Sequence, residues 1–431
     1  MTELVIQTLR STTRNLTGRA GLSQLLRRLL AFAGPGWMIA VGYMDPGNWA
    51  TDIAAGSAFG YKLLFIVVLA SLAGMLFQAL SARLGLVSGL DLAEASRHRF
   101  PPSVNYALWL LAEIGIIASD VAEIVGTAIA LKLLFGVPLL AGVAASLGLT
   151  VLMLSLERHG LRFLEVAIAL LVLAVIGCLV FEVLLARPDW LAIAGGLMPD
   201  RTILAMPGAT ILAAGIIGAT VMPHNLYLHG ALVKRHRPAE GNSANAILKA
   251  VTADSNFALI GAFTVNAAIL ILAAATFYAT GQGDIAGLAD AQALLEPILG
   301  PAAAIVFALA LLIAGQNSTV TATLAGQVVM EGFTAFRLSP ALRRLITRAI
   351  AIVPAAAITA IGGEHGAESL LVFSQVVLSL QLPFAVIPLV LFTADRRIMG
   401  NLPAPHWMTM GGAILSLGLI AANATLLYSL V

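Results

Sequence analysis

Asp45-Pro46-Gly47-Asn48 and Met222-Pro223-His224-Asn225 interrupt two long apolar runs, Ala31 to Ala58 and Ile203 to Leu232. Asp45 offers a hard anionic oxygen, and Asn48 a neutral amide oxygen three residues on. Met222 offers a soft, polarizable sulfur. Proline lacks a backbone N–H and clashes with the carbonyl four residues back. Pro46 therefore releases the carbonyl of Gly42, and Pro223 that of Ala219, three residues before Met222. Inside a bilayer such groups are tolerated only where protein or a water-filled cavity satisfies them. Two broken helices carrying a carboxylate, an amide, a thioether and released carbonyls are what a cation site at mid-membrane needs. Oxygen donors alone suit Mg²⁺ or Ca²⁺. A thioether shifts the preference to softer transition metals. The mixed set points to Mn²⁺ or Fe²⁺, with Co²⁺, Zn²⁺ and Cd²⁺ as competitors.

A second group of ionisable residues lies in another apolar run. Glu113, Asp120 and Glu123 are spaced seven and three apart, which puts them on one helical face. Buried carboxylates must be protonated, paired or hydrated. Arg348 is an available basic partner. Two compatible readings follow: a proton route leading away from Asp45, and a structural ion-pair network between two helices. His224 and His229 titrate near physiological pH. They suit proton handling or gating, and they equally suit polar residues lining an aqueous vestibule.

These residues need helices that span a membrane. The chain has 431 residues, of which 59% are hydrophobic and 11% charged, against about 25% charged in soluble domains. A spanning helix takes about 20 mostly apolar residues. Eleven segments qualify: 31–57, 62–88, 105–133, 138–156, 162–186, 203–232, 255–279, 300–330, 343–361, 367–394 and 407–430. The motifs fall in the first and sixth. Five segments separate their starts, which is the layout of an inverted repeat. The expected organisation is an arm over 1–30, a first five-helix repeat over 31–186, a second over 203–394 and an eleventh helix over 407–430.

Lys and Arg set orientation. The arm carries Arg10, Arg14, Arg19, Arg27 and Arg28 and reads as a basic cytoplasmic arm, not a signal peptide. Even-numbered connections hold Arg97 and Arg99, Arg158 and Arg162, Lys234, Arg235, Arg237 and Lys249, Arg337, Arg343 and Arg344, and Arg396 and Arg397. Odd-numbered ones hold Lys62, Arg187 and Arg201. The N-terminus is expected in the cytoplasm and the C-terminus outside the cell membrane. The net charge of +2 says little; neither nucleic acid nor an obligate protein partner is expected. Cys178 is the one cysteine, so no intrachain disulfide forms.

With these residues in view, the sequence resembles the Nramp family of proton-coupled divalent-metal transporters. The resemblance rests on Asp45–Asn48, on ATVMPHNLYLH at Ala219–His229 and on GQNSTVTATLAGQVVMEGF at Gly315–Phe333. ASDVAEIVG at Ala118–Gly126 and SQVVLSLQLPFA at Ser374–Ala385 add fainter matches. It implies a LeuT-like fold, import of Mn²⁺ or Fe²⁺ and co-transport of protons, with no permanently bound cofactor. It also implies metal ligation by Asp45, Asn48, the Ala219 carbonyl and Met222, with Gln375 joining in some states. Two rivals stand beside it. A sodium-coupled carrier of organic substrates would have little use for Met222 beside the break. An intramembrane metalloenzyme would need a placed nucleophile or an HExxH motif, and neither occurs.

Overall fold

A computed structural model describes residues 35–429, apart from 158–160, 201, 204, 205, 207, 237–243 and 282–286. The expected arm over 1–30 lies outside the described residues, as do Arg158, Arg201 and Arg237. The described residues are helical with short connections and contain no strand.

The first segment is two helices, α1 (Pro35–Gly42) and α2 (Pro46–Phe59). Pro46 is the first residue of α2, where its missing N–H costs nothing. Asp45 caps that helix: its Oδ1 accepts from the Asn48 N–H at 2.8 Å. The proline thus starts a helix as much as it breaks one. After α3 (Leu64–Ser88) comes a short α4 (Leu92–Arg99), then the long α5 (Pro102–Phe135), α6 (Leu139–Glu157), α7 (Leu161–Ala186) and a short α8 (Trp190–Gly196).

The sixth segment is likewise split, into α9 (Ala209–Thr220) and α10 (Pro223–Val233), with Val221 and Met222 between them. It begins at Ala209 and not at 203, because Gly208 at φ 79° turns the chain just before it. Then follow α11 (Ala244–Thr276), the short α12 (Leu288–Leu299), α13 (Pro301–Thr334) and α14 (Pro340–Ala394). α11 starts eleven residues before the expected 255, so Lys249 is helical and not part of a connection. The ninth and tenth segments form the one run α14, interrupted by Gly363 at φ 58°. The chain ends with α15 (Arg396–Met399) and α16 (His406–Ser429).

By length and apolar composition, seven described helical stretches can cross a membrane. Two of them, Pro46–Ser88 and Ala341–Ala394, run expected segments together, while Leu139–Thr150 and Val172–Ala186 qualify only as shorter apolar helices. Large apolar side chains such as Leu72, Ile114, Ile260, Ile414 and Leu417 face outward. A soluble monomer rarely exposes so much apolar surface, whereas lipid accepts it. The chain is an integral membrane protein.

α5 lies against α13 and α14, and α2 lies against α9 and α11. One apolar cluster joins Phe77 and Leu84 of α3, Leu226 and Tyr227 of α10, Phe333 of α13 and Leu382 of α14. α10 is also tied down by polar contacts. Ser81 donates to the Leu226 carbonyl at 2.5 Å. Lys234, directly after α10, donates to Asp91 at 2.6 Å and to Glu94 at 2.7 Å. Those two acids form a capping box at the start of α4. Burial holds the Asp91 carboxyl above the usual carboxylate range even against the pull of Lys234.

Candidate metal centre

Both breaks bring polar groups into the protein interior. Asp45, Asn48, Ala219, Met222 and Gln375 are all buried. One terminal atom of the Asn48 amide lies 2.6 Å from Asp45 Oδ1 and 3.2 Å from the Ala219 carbonyl oxygen. Its other terminal atom lies 3.0 Å from Asn266 Nδ2. Which of the two is nitrogen is decided by the partners. With nitrogen inward, Asn48 donates to Asp45 and Ala219 and accepts from Asn266, so the groups satisfy one another without a cation. With oxygen inward, three oxygens converge and only a cation satisfies them. Turning that amide opens the set into a cage and leaves its nitrogen facing Asn266 Nδ2, two donors 3.0 Å apart. Asp45 Oδ2 has no hydrogen-bond partner among the described residues.

Of the other two expected ligands, Gln375 borders this cluster and Met222 lies in the break three residues after Ala219. Gln375 of α14 lies against Gly47, where a Cβ would collide with the Gln375 amide. Glycine is required there for the approach. The Gln375 Nε2 donates to Ser374 Oγ at 3.0 Å, and its Oε1 is unpartnered among the described residues. Met222 occupies the break between α9 and α10, and its sulfur accepts from Asn225 Nδ2 at 3.7 Å. The Asn225 amide in turn abuts Gly42 at the end of α1. Pro46 is seated on Gly126 of α5, where a Cβ would strike the proline ring. The α5 carboxylates are thereby held against the break in the first segment.

Those carboxylates divide into two ion-pair groups. Arg348 Nη2 donates to Glu123 and, at 2.8 Å, to Thr319 Oγ1. Its Nε lies 3.5 Å from Asp120 Oδ1. Glu113 is not part of this group. It takes both hydrogen bonds, at 2.8 Å, from Arg343, and a third from Trp109 Nε1 at 2.9 Å. Arg348, the available basic partner, thus pairs with two of the three carboxylates. One expectation needs correction. Arg343 and Arg344, counted among loop cations, are buried in α14; charge counting along a sequence does not see a cation folded back onto a neighbouring helix.

The histidines also separate. His224 is buried next to Met222, and its Nδ1 has no partner among the described residues. His229 Nδ1 lies 2.9 Å from Gln78 Oε1, and Gln78 Nε2 donates to the Tyr43 hydroxyl at 2.9 Å. A polar chain therefore links α10 to the break before α2. Its Tyr43 end meets the Asp45 cluster through Asn266, whose Nδ2 donates to the Tyr43 carbonyl at 3.0 Å.

Sequence reasoning passed over Asn266, Gln78, Asp52 and Glu182. Asp52 and Glu182 are carboxylates inside apolar runs, which is itself a functional signal; both are buried with unpartnered oxygens among the described residues. Asn266 and Gln78 carry no such signal, because only the packing of α11 and α3 shows what they face. Among the described residues no group of three or more His, Cys, Asp or Glu is placed to hold a metal. A resident catalytic metal favours three or four such ligands. A single carboxylate with amide, carbonyl and thioether donors suits an ion that must also leave.

Residues 36–429 match the family model Nramp, described as natural resistance-associated macrophage protein-like. The chain is 53% identical over 403 residues to the divalent metal cation transporter MntH of Xanthomonas campestris pv. campestris, covering 93% of this chain and 91% of that one. A crystal structure of the Eremococcus coleocola manganese transporter, in complex with an aromatic bis-isothiourea substituted compound, superposes with a TM-score of 0.84 at 37% identity. That match covers 95% of this chain and 88% of that one. Mhp1, a nucleobase-cation-symport-1 family transporter, superposes with a TM-score of 0.59 at 16% identity, covering 92% of each chain. That likeness extends to the fold alone, the broken-helix architecture of LeuT-like carriers.

Proposed function

The chain belongs to the Nramp family, and on that premise we propose that it imports divalent transition-metal ions, Mn²⁺ and Fe²⁺, together with protons, by alternating access. It is a transporter and not an enzyme. The observation that supports the substrate class is the convergence of the Asp45 carboxylate, the Asn48 amide and the Ala219 carbonyl in a buried place, with the buried Met222 in the break that follows Ala219. Gln375 supplies a fifth donor as the helices rearrange. Co²⁺, Zn²⁺ and Cd²⁺ compete for the same donors.

Asp45 binds metal only when ionised, so metal binding is linked to proton release. Protons pass through the region of His224, Asp120 and Glu123, where His224 Nδ1 and Glu123 Oε1 are acceptors without partners among the described residues. Glu113, held by Arg343, belongs to the same route at its far end. His229 gates through Gln78 and Tyr43. α1 with α2, and α9 with α10, move as paired halves of an inverted repeat. The Lys and Arg distribution supports an N-terminus in the cytoplasm and a C-terminus outside, in the cell membrane.

Uptake of Mn²⁺ into proteoliposomes tests this reading. We expect time-dependent uptake that accelerates with an inward proton gradient and is unchanged when choline replaces Na⁺. Uptake that requires Na⁺ would favour the sodium-coupled carrier instead. Met222→Ala then tests the substrate class. The loss of sulfur should reduce discrimination against Ca²⁺ by about tenfold, ~1.4 kcal/mol, while Mn²⁺ binding weakens less. Competition of Ca²⁺ against Mn²⁺ binding in titration calorimetry reads the ratio, and unchanged Ca²⁺ exclusion would contradict the role given to the sulfur.

A further inference from the structure

Asp52 stands outside every role assigned so far. It lies one turn beyond Asn48 on α2, so the two side chains share a face. That face runs along α11. The Asn48 amide lies 3.0 Å from Nδ2 of Asn266 in α11. A Cβ on Gly56, one turn beyond Asp52, would strike the Leu270 carbonyl and Ala273 of the same helix. Asp52 therefore sits on the seam between α2 and α11, between those two contacts.

Asp52 is 1% exposed, and its Oδ2 has no hydrogen-bond partner among the described residues. Asn266, also 1% exposed, donates through Nδ2 to the Tyr43 carbonyl at 3.0 Å, and its Oδ1 is likewise unpartnered. Buried polar groups are paired as a rule, and a carboxylate inside a membrane protein is costly to leave bare. Two bare oxygens on one seam, next to a cation cage, mark a place where a cation fits.

We propose that Asp52 and the Asn266 amide oxygen form an all-oxygen waiting site for a divalent cation, one helical turn from the cage. This rests on the proposed function and extends it. Asn48 joins the two sites, since its amide meets Asp45 and Ala219 on one side and Asn266 on the other. An ion leaving Asp52 meets the first cage donor about 6 Å along the helix. α2 leads away from the cytoplasmic N-terminus, so the waiting site lies on the outer side of the cage.

The two sites divide the work by donor chemistry. Oxygens alone hold Ca²⁺ as readily as Mn²⁺, so the waiting site concentrates divalent ions without sorting them. The thioether of the cage sorts them. Ca²⁺ should therefore occupy the waiting site and block Mn²⁺ entry without being carried.

The test measures Mn²⁺ uptake into proteoliposomes at several millimolar Ca²⁺ concentrations, for wild type, Asp52→Asn and Asp52→Glu. We expect competitive inhibition by Ca²⁺ in the wild type. Asp52→Asn should raise the KM for Mn²⁺ about tenfold, the low end of what focusing by a charged cleft provides, at unchanged Vmax. It should also abolish the Ca²⁺ block. Asp52→Glu should keep both properties. If Asp52→Asn accumulates poorly, Asp52→Ser is read in the same way. Transport by Asp52→Asn with unaltered KM and persistent Ca²⁺ block would overturn the waiting site alone. A wild-type protein that carries no Mn²⁺ would overturn the proposed function and the waiting site together.

Discussion

Asp45→Ala should abolish saturable Mn²⁺ uptake. Asp45 is the one carboxylate in the oxygen cluster with Asn48 and Ala219, so its removal leaves a divalent ion with neutral donors only. Two unit charges 4 Å apart at an effective dielectric of 20 attract by about 4 kcal/mol, and a divalent ion by about 8 kcal/mol, so affinity should fall by at least about 10³-fold. The substitution also removes the cap on α2, which costs about 1 kcal/mol of stability. Asp45→Asn separates the two effects. Its amide oxygen still accepts from the Asn48 N–H, which Asp45 Oδ1 now does at 2.8 Å. It should therefore restore the cap and leave uptake abolished. Saturable uptake at normal apparent affinity in either variant would remove Asp45 from the site.

Arg348→Met should be the most destabilising single change in the α5–α14 contact. Arg348 is buried between Glu123 and Asp120, both also buried, and Thr319. Removing one partner of such a group leaves uncompensated charge and costs about 3–5 kcal/mol. The carboxylates can respond by taking up protons, which would uncouple metal movement from the proton gradient. Two measurements follow. The thermal midpoint in detergent should drop, and Mn²⁺ uptake should lose its dependence on an imposed pH gradient. Adding Glu123→Gln and Asp120→Asn removes the stranded charges and should recover most of the midpoint, since the pair terms are strongly non-additive. The triple variant should stay uncoupled. A stable Arg348→Met protein with normal pH dependence would show that this group neither holds the helices nor moves protons.

Much of the centre was legible because proline acts locally. Pro46 and Pro223 each forbid a hydrogen bond that a continuous helix needs, and the structure divides both segments at those residues. The shared face of Asp120 and Glu123 followed from helical period alone. What stayed hidden depends on which helices touch. Arg343 looked like a loop cation, and only the packing of α14 on α5 delivers it to Glu113. Asn266 looked like an ordinary polar residue until α11 brought it to Asn48. Asp52 was visible as a letter, but the apolar average of its segment masked it. The short helices α4 and α12 fell outside a search for 20-residue apolar runs, although the Asp91…Glu94 spacing was a readable helix start.

The most direct measurement is anomalous diffraction from a crystal soaked in Mn²⁺. A strong peak is expected within coordination distance of Asp45, Asn48, the Ala219 carbonyl and the Met222 sulfur, and absent from Asp45→Ala crystals. A peak remote from both helix breaks, or one that persists unchanged in Asp45→Ala, would contradict this placement of the metal.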